Sequence, residues 1–400
     1  MGEKRRPKGE GSIYQLPNET WRGKIPASET NDGKIKYFTG KTQIEVSRKM
    51  KEYKNELAQA TLLPDKIYFD TAIKYWLYNI KIHELKPSSM DRLESTINTH
   101  ILPIVGSLLL QKVTPEIIEQ KILNAITKDG KSHSTVKKVY DALNSFYSFY
   151  DSRNNTRINP MKTISPPKQK NYKTKDIRYF TEAEKEKFIN ACKFQYENGE
   201  YCYSYGFVFI LMIYTGIRGG EAIQVRWEDI DLEHKLLFVK GNRITVKDRS
   251  ENKFADEDNG IELKYITINQ DTAKSTASTK RQVPLNSNAV KAIEGLKAVY
   301  LQKYGHVPPE FLVSTKDGQP ITLSTFLKSF KKILERADID IKGCGIHTLR
   351  HTCASLMFKN GVDVKTVSEI LGHSSVAITY NTYIHLIQEQ KAKAMDLIDF

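Results

Sequence analysis

The sequence predicts a multidomain α+β chain: a small three-stranded sheet plus helix, then a helical bundle, then a mainly helical domain with a small antiparallel sheet. Three observations predict it. At 400 residues the chain is too long for one ordinary core. Within its first forty residues short runs alternate with the period of strands before one helix, whereas residues 67–158 repeat at helical spacing throughout. From about residue 176 the texture changes again, to long helices interrupted by short β-rich runs.

Taken in order, "GSIYQLPNETWRGKI" holds two alternating runs joined by a Pro-Asn turn, and "KIKYF" follows the "NDG" turn as a third. A helix then begins at "TGKTQIEV", where Thr42 and Glu45 form a capping box and Val46, Met50, Tyr53 and Leu57 recur on one face. In the helical region Ser88 and Asp91 are candidate caps of one helix. Ser134 is the candidate cap of another, whose apolar face is Val136, Val139, Leu143, Phe146 and Tyr150. "THILPIVG" interrupts the pattern between them. Further on, Thr181 and Glu184 box an amphipathic helix, "YGFVFILMIYTG" reads as a buried helix, and "KLLFV", "YITI" and "QVPL" read as short strands. The divisions expected are 1–62, 63–162, a basic linker over 163–178, and 179–400.

Charge narrows the function. Sixty-one Lys and Arg against forty-seven Asp and Glu give +14, an excess that favours a polyanion. Residues 161–178 carry six basic residues and one acidic, with Pro-Pro to keep them extended, so Lys168, Lys170, Lys173 and Lys175 are candidate phosphate contacts. No apolar run reaches eighteen residues, which argues against a membrane span. Neither a secretory signal nor a myristoylation site is read at the N-terminus, where position 6 is Arg6. The four cysteines, Cys192, Cys202, Cys344 and Cys353, form no C-x-x-C pair, which points to a reducing cytoplasm and away from a zinc site.

Three polar clusters lie in the last domain. In "TGIRGGEAIQV", Arg218 follows the buried helix with Glu221 three residues on, a carboxylate placed to hold a planar guanidinium. In "GIHTLRHTCASLM", His347 and Arg350 share a helix face, and in "LGHSSVAITYNTY", His373 precedes Tyr380 and Tyr383. Each alone has an ordinary structural reading: a buried ion pair, a satisfied histidine, two packing tyrosines. The nine residues around the tyrosines do not say which one is special.

Together, T-G-x-R-x-x-E, H-x-L-R-H, L-G-H-S and a following Tyr resemble the tyrosine recombinases of the phage-integrase family. Residues 67–158 look like that family's helical core-DNA-binding domain, and residues 1–60 resemble the arm-DNA-binding domains of phage and conjugative-transposon integrases. The resemblance implies the tyrosine recombinase fold and a site-specific DNA recombinase that cuts and rejoins strands through a 3′-phosphotyrosine. It implies double-stranded attachment-site DNA as partner, a tetramer on DNA, accessory bending or directionality proteins, and neither cofactor nor metal.

The chemistry agrees with the residues. A phenolate can hold a broken phosphodiester covalently, two arginines can clamp the phosphate oxygens, and Lys or His can protonate the departing 5′ oxygen. In the family the nucleophile follows the L-G-H histidine by nine or ten positions, with a histidine soon after. Tyr383 lies ten after His373 and two before His385, so it is the nucleophile and Tyr380 a packing residue. His373 is assigned to the phosphate or phenol, His347 to proton transfer, Glu221 to orienting Arg218, and His351 to structure. The lysine falls in "NQDTAKSTASTKRQVPL", where Lys274 is chosen over Lys280. Residues 240–264 are an insertion that could lengthen the sheet or reach DNA or another protomer, and Met395, Leu397, Ile398 and Phe400 would let the tail dock in cis or on a neighbour. Arg22 and Lys24, beside Trp21, are the candidate DNA contacts of the N-terminal unit. A topoisomerase with the same residues and an inactive DNA-binding regulator are the competing readings.

Overall fold

The structure, a computed structural model, describes residues 12–17, 19–25, 35–59, 67–154, 159–169, 177–250, 263–270, 281–384, 386–388 and 391. The chain divides into two units, Met1–Lys173 and Thr174–Phe400.

In the first unit, β1 (Ser12–Gln15), β2 (Trp21–Ile25) and β3 (Lys36–Gly40) form an antiparallel sheet in that order. The two-residue period of β2 puts Ile25 under α1 (Gln43–Gln59), where it packs with Val46 and Met50, and Trp21 lies against this small core. Arg22 and Lys24 fall on the opposite face. Thr42 accepts a hydrogen bond from the Glu45 amide at 3.2 Å, but the Glu45 carboxylate accepts from Lys41 rather than from the cap itself.

A separate apolar cluster holds the helical part together. It is built from α2 (Phe69–Trp76), α3 (Pro87–His100) and α4 (His133–Asn154). All five residues of the expected α4 face are buried, and Phe146 lies 4.9–5.7 Å from the rings of Phe69, Trp76, Tyr147 and Tyr150. Two expected caps are corrected. Ser88 and Asp91 sit inside α3, which starts at Pro87 because a first-turn proline presets φ and needs no amide partner. Ser132, not Ser134, caps α4, its hydroxyl accepting from the Thr135 amide at 3.4 Å. Past α4, Met161 and Ile164 are buried in this same cluster, and the Tyr140 hydroxyl donates to the Ile164 carbonyl at 3.1 Å. The first residues of the expected linker are thus held on the helical part.

In the second unit, α5 (Glu182–Cys192) starts with the full Thr181–Glu184 capping box. The next helix, α6 (Gly206–Thr215), is buried almost all round, with Phe209 stacked on Phe326 at 4.4 Å. The sheet is not the one the three expected strands would make. β4 (Ile230–Asp231), β5 (Leu236–Val239) and β8 (Arg281–Pro284) form one antiparallel sheet. "YITI" does not join it: β7 (Tyr265–Gln270) pairs with β6 (Asn242–Lys247), a strand inside the insertion. The alternating, β-branched "NRITVK" supplies that partner. Then come α7 (Ser287–Tyr304), α8 (Leu323–Arg336), α9 (His347–Lys359), α10 (Val364–Leu371) and α11 (Val376–Thr382). The tail residues Met395, Leu397, Ile398 and Phe400 lie outside the described residues. Among the described residues no helix is long and apolar enough to cross a membrane.

Candidate active site

Two glycine-terminated helices and the helix between them build the site. Gly216 ends α6 with φ 65°, and a Cβ there would come 2.6 Å from Leu371 Cδ2, so glycine is what lets the chain turn at this point. Ile217 returns to the core and Arg218 emerges extended, its side chain one-third exposed. Gly372, φ 67°, ends α10 in the same way.

The two glycine carbonyls cross-connect the motifs. Arg350, buried on α9, donates from Nη1 to the Gly216 carbonyl at 2.8 Å, and Arg218 donates from Nη2 to the Gly372 carbonyl at 3.1 Å. Carbonyls at helix C-termini carry partial negative charge, which suits both guanidinium groups. The Nη2 of Arg350 has no hydrogen-bond partner among the described residues. Burial, then Arg218 beside it, pulls the Arg350 guanidinium below its ordinary range. Two cations this close, one with a spare buried donor, form a ready seat for an anion.

Glu221, buried at 3% exposure, serves two arginines. Arg218 reaches Oε1 at 2.7 Å, and Arg281 meets Oε1 at 3.1 Å and Oε2 at 2.9 Å. The Arg281 Nε also donates to the Ile370 carbonyl at 2.8 Å. Burial pushes the Glu221 carboxyl up, but Arg281 and Arg218 outweigh it and hold it at about 2. No sequence motif singles out Arg281. Its signal was there: in the alternating "RQVP" of β8 it shares the inward face with Val283.

The tyrosines part company. Helix α11 stops at Thr382, and Tyr383 caps it with φ −118°. Tyr383 shares the inward face with Thr379, four residues earlier, and is fully buried against Phe358 and its neighbours. Tyr380 is 37% exposed, which corrects its expected packing role: the packed ring is Tyr383. The phenol oxygen of Tyr383 lies 2.7 Å from His351 Nδ1. His373 Nδ1 lies 2.6 Å from the Thr379 hydroxyl. Burial is the main reason both rings are held at about 4, reinforced for His351 by His347 and Arg350 and for His373 by Arg350 and Arg218. Both imidazoles are therefore neutral near pH 7. His347, at the outer end of α9, is also lowered, by desolvation and then by Arg350 and Arg218. Burial pushes the Tyr383 phenol up, with Arg350 opposing it.

Of the expected site residues, Arg218, Glu221, His347, Arg350, His373 and Tyr383 thus gather in the second unit. Lys274, its rival Lys280, and His385 lie outside the described residues, as do Lys170, Lys173 and Lys175. Lys168 is exposed. Arg22 and Lys24 belong to the first unit, on the sheet face that also presents the partly exposed Tyr14 and Tyr37. Among the described residues no three His, Cys, Asp or Glu side chains are placed to share a metal ion.

Comparison with known proteins places this arrangement. The model of the Phage integrase family matches residues 178–390, and that of the Phage integrase, N-terminal SAM-like domain matches residues 68–126. The tyrosine recombinase XerC-like protein of Caldanaerobacter subterraneus subsp. tengcongensis is 28% identical, covering 95% of this chain and 96% of that one. The integrase of Staphylococcus phage L54a is 23% identical over 86% of this chain and 95% of its own. Among solved structures, the Tn1549 transposon integrase in complex with transposon right-end DNA has the same fold. Its TM-score is 0.60 at 17% identity, covering 82% of this chain and 99% of that one. One family model spans more than half of the residues, and the motifs that suggested it meet in space, so the chain belongs to the phage integrase family and is a tyrosine recombinase, an enzyme of DNA cleavage and rejoining.

Proposed function

We propose that Tyr383 is the nucleophile of a site-specific integrase of a phage or conjugative transposon, and that Arg218 and Arg350 clamp the phosphate it attacks. The observation that carries this reading is the double tie between motifs: the carbonyl of Gly216 holds Arg350 and that of Gly372 holds Arg218. Negative charge gathers on the non-bridging oxygens during attack, and two fixed guanidinium groups stabilise it without a metal. Glu221 orients Arg218. His347 and His373 handle protons and the phosphate, and Lys274 protonates the 5′ oxygen. The product is a 3′-phosphotyrosine, and strand exchange passes through a Holliday junction between two duplexes. The ring of Tyr383 is covered, so its cover opens when a phosphate comes within reach.

In this reading the chain works as four parts. Residues 1–62 bind arm DNA, 63–162 bind the core site, 163–178 track the backbone through Lys168, Lys170, Lys173 and Lys175, and 179–400 cut and rejoin. Arg22 and Lys24 share an open sheet face with two tyrosines, a composition suited to DNA. A lambda integrase tetramer has been seen on a Holliday junction, at a TM-score of 0.55 to this chain, and a tetramer on DNA is assigned here by that likeness. The enzyme acts in the cytoplasm, with accessory bending or directionality proteins.

The test is a nicked suicide duplex carrying the core site from the ends of the element that bears this gene. Wild-type protein should accumulate a covalent adduct and Tyr383→Phe should not. An adduct formed by Tyr383→Phe would defeat the assignment. Plasmid relaxation without a core site would revive the topoisomerase reading, and binding with no adduct from wild-type protein would revive the inactive regulator.

A further inference from the structure

The sequence assigned His351 no part in the chemistry, yet its Nδ1 is the polar atom set against the Tyr383 oxygen, at 2.7 Å. The two rings meet edge-on with centroids 5.7 Å apart, so the imidazole presents a nitrogen rather than its face. His351 follows Arg350 directly on α9, and the charge of Arg350 bears on both the imidazole and the Tyr383 phenol. We propose that His351 accepts the Tyr383 proton as the phenol attacks and returns it when the strand is rejoined, an inference that rests on Tyr383 being the nucleophile.

The step balances. The phenol O–H bond breaks and its proton moves to Nδ1 of an imidazole that carries its own proton on Nε2. The phenol oxygen bonds to phosphorus, the bond to the 5′ oxygen breaks, and that oxygen takes a proton from the general acid on the lysine loop. In rejoining, the 5′ hydroxyl gives its proton back to the same group on the lysine loop as its oxygen bonds to phosphorus, the phenolate leaves, and the phenol proton returns to it from His351. No electron changes hands.

The surroundings favour the neutral imidazole as a resting base. Burial first, then His347 and Arg350 on the same helix, oppose its charge, and His373 faces it from the loop before α11. Cys353, buried two residues along α9, bears on the phenol and not on the imidazole. A bound phosphodiester would offset the charges of Arg218 and Arg350, and with them part of what keeps His351 a weak base. The base would therefore strengthen when substrate arrives.

The experiment compares full-length wild-type, Tyr383→Phe and His351→Asn proteins on a suicide duplex that wild-type protein cleaves. Asn keeps an acceptor oxygen near the place of Nδ1 but cannot take up a proton at these pH values. A purely structural role would therefore survive the change. Adduct formation by His351→Asn should fall on the order of 100-fold near pH 7 and recover toward high pH, where the phenol ionises by itself. DNA binding by gel shift should remain. A 5′-bridging sulfur, which leaves without protonation, should not restore the rate. A rate within about threefold of wild type, a loss that does not recover with pH, or rescue by the sulfur substrate would each overturn the assignment. If Tyr383→Phe itself forms adduct, the parent reading has failed; if only His351→Asn behaves as wild type, this inference alone has.

Discussion

Arg281 meets Glu221 with both ends of its guanidinium, at 3.1 and 2.9 Å, and the same carboxylate holds Arg218 at 2.7 Å. Arg218 is thus held by a carboxylate that a second arginine fixes from behind. Arg281 opens β8, directly after the segment that carries Lys274 and Lys280. Removing it leaves a buried carboxylate half-compensated, at a cost of about 3 kcal/mol. Arg281→Met should lower the urea midpoint accordingly and slow cleavage, while Arg281→Lys should recover part of the stability. Unchanged stability in Arg281→Met would show that the pair is dispensable.

The two arginines offer a planar fork that an ammonium group cannot copy. Arg218→Lys and Arg350→Lys should each bind the core site near wild-type affinity and lose roughly 100-fold or more in single-turnover cleavage. With the phosphate clamped by these arginines as proposed, EDTA should leave wild-type cleavage unchanged. Strict dependence on added magnesium would contradict the mechanism.

Acid should unfold the second unit in two stages. His351 and His373 are held at about 4, against an ordinary value of 6.5. Between those values the unfolded chain binds more protons, so stability is full above about pH 6.5 and falls as pH drops toward 4. The loss is on the order of 2 kcal/mol for each ring. Glu221, at about 2 against 4.5, adds a second loss as pH falls from about 4.5 through 2. Urea midpoints at pH 7.5, 5.5 and 4.5 would trace the first stage, and His373→Asn should flatten it.

Burial separates the two tyrosines in stability as well as in chemistry. Tyr383→Phe keeps the ring in its pocket but breaks the bond to His351, at a cost of about 1 kcal/mol and with loss of all adduct. Tyr380→Phe, at a ring 37% exposed, should change stability by less than about 0.5 kcal/mol and keep cleavage. Thermal melts and the suicide duplex, run on both variants, would check the pair.

Residues 1–60 carry thirteen Lys or Arg and eight Asp or Glu, a net of +5. Protein lacking them should still bind and cleave a short core duplex, but lose protection of distant arm sequence. Footprints of full-length and truncated protein on one long attachment site would decide. Coincident footprints would make this segment a docking module. Arg22→Ala in the full chain should weaken arm protection alone.

The sequence by itself determined the class of chemistry and most of the scaffold. Arg218, His347, Arg350, His373 and Tyr383 stand at telling distances from Gly216, Gly372 and one another along the chain. The buried faces of α4 and α6 follow from local periodicity. These are short-range signals, set by helical pitch and by the few residues that tolerate a left-handed turn. The Ser132 cap of α4 and the Pro87 start of α3 show where such signals blur: neighbouring polar residues compete, and the winner depends on where the chain enters the helix. What only the tertiary structure decided was pairing. Arg281 lies 60 residues from Glu221, Tyr383 lies 32 from His351, and "YITI" takes a strand from inside the insertion instead of joining the main sheet. Partners so far apart meet because the cores on either side of them pack in one way, and a buried charge or phenol then takes whichever polar group that packing leaves within reach.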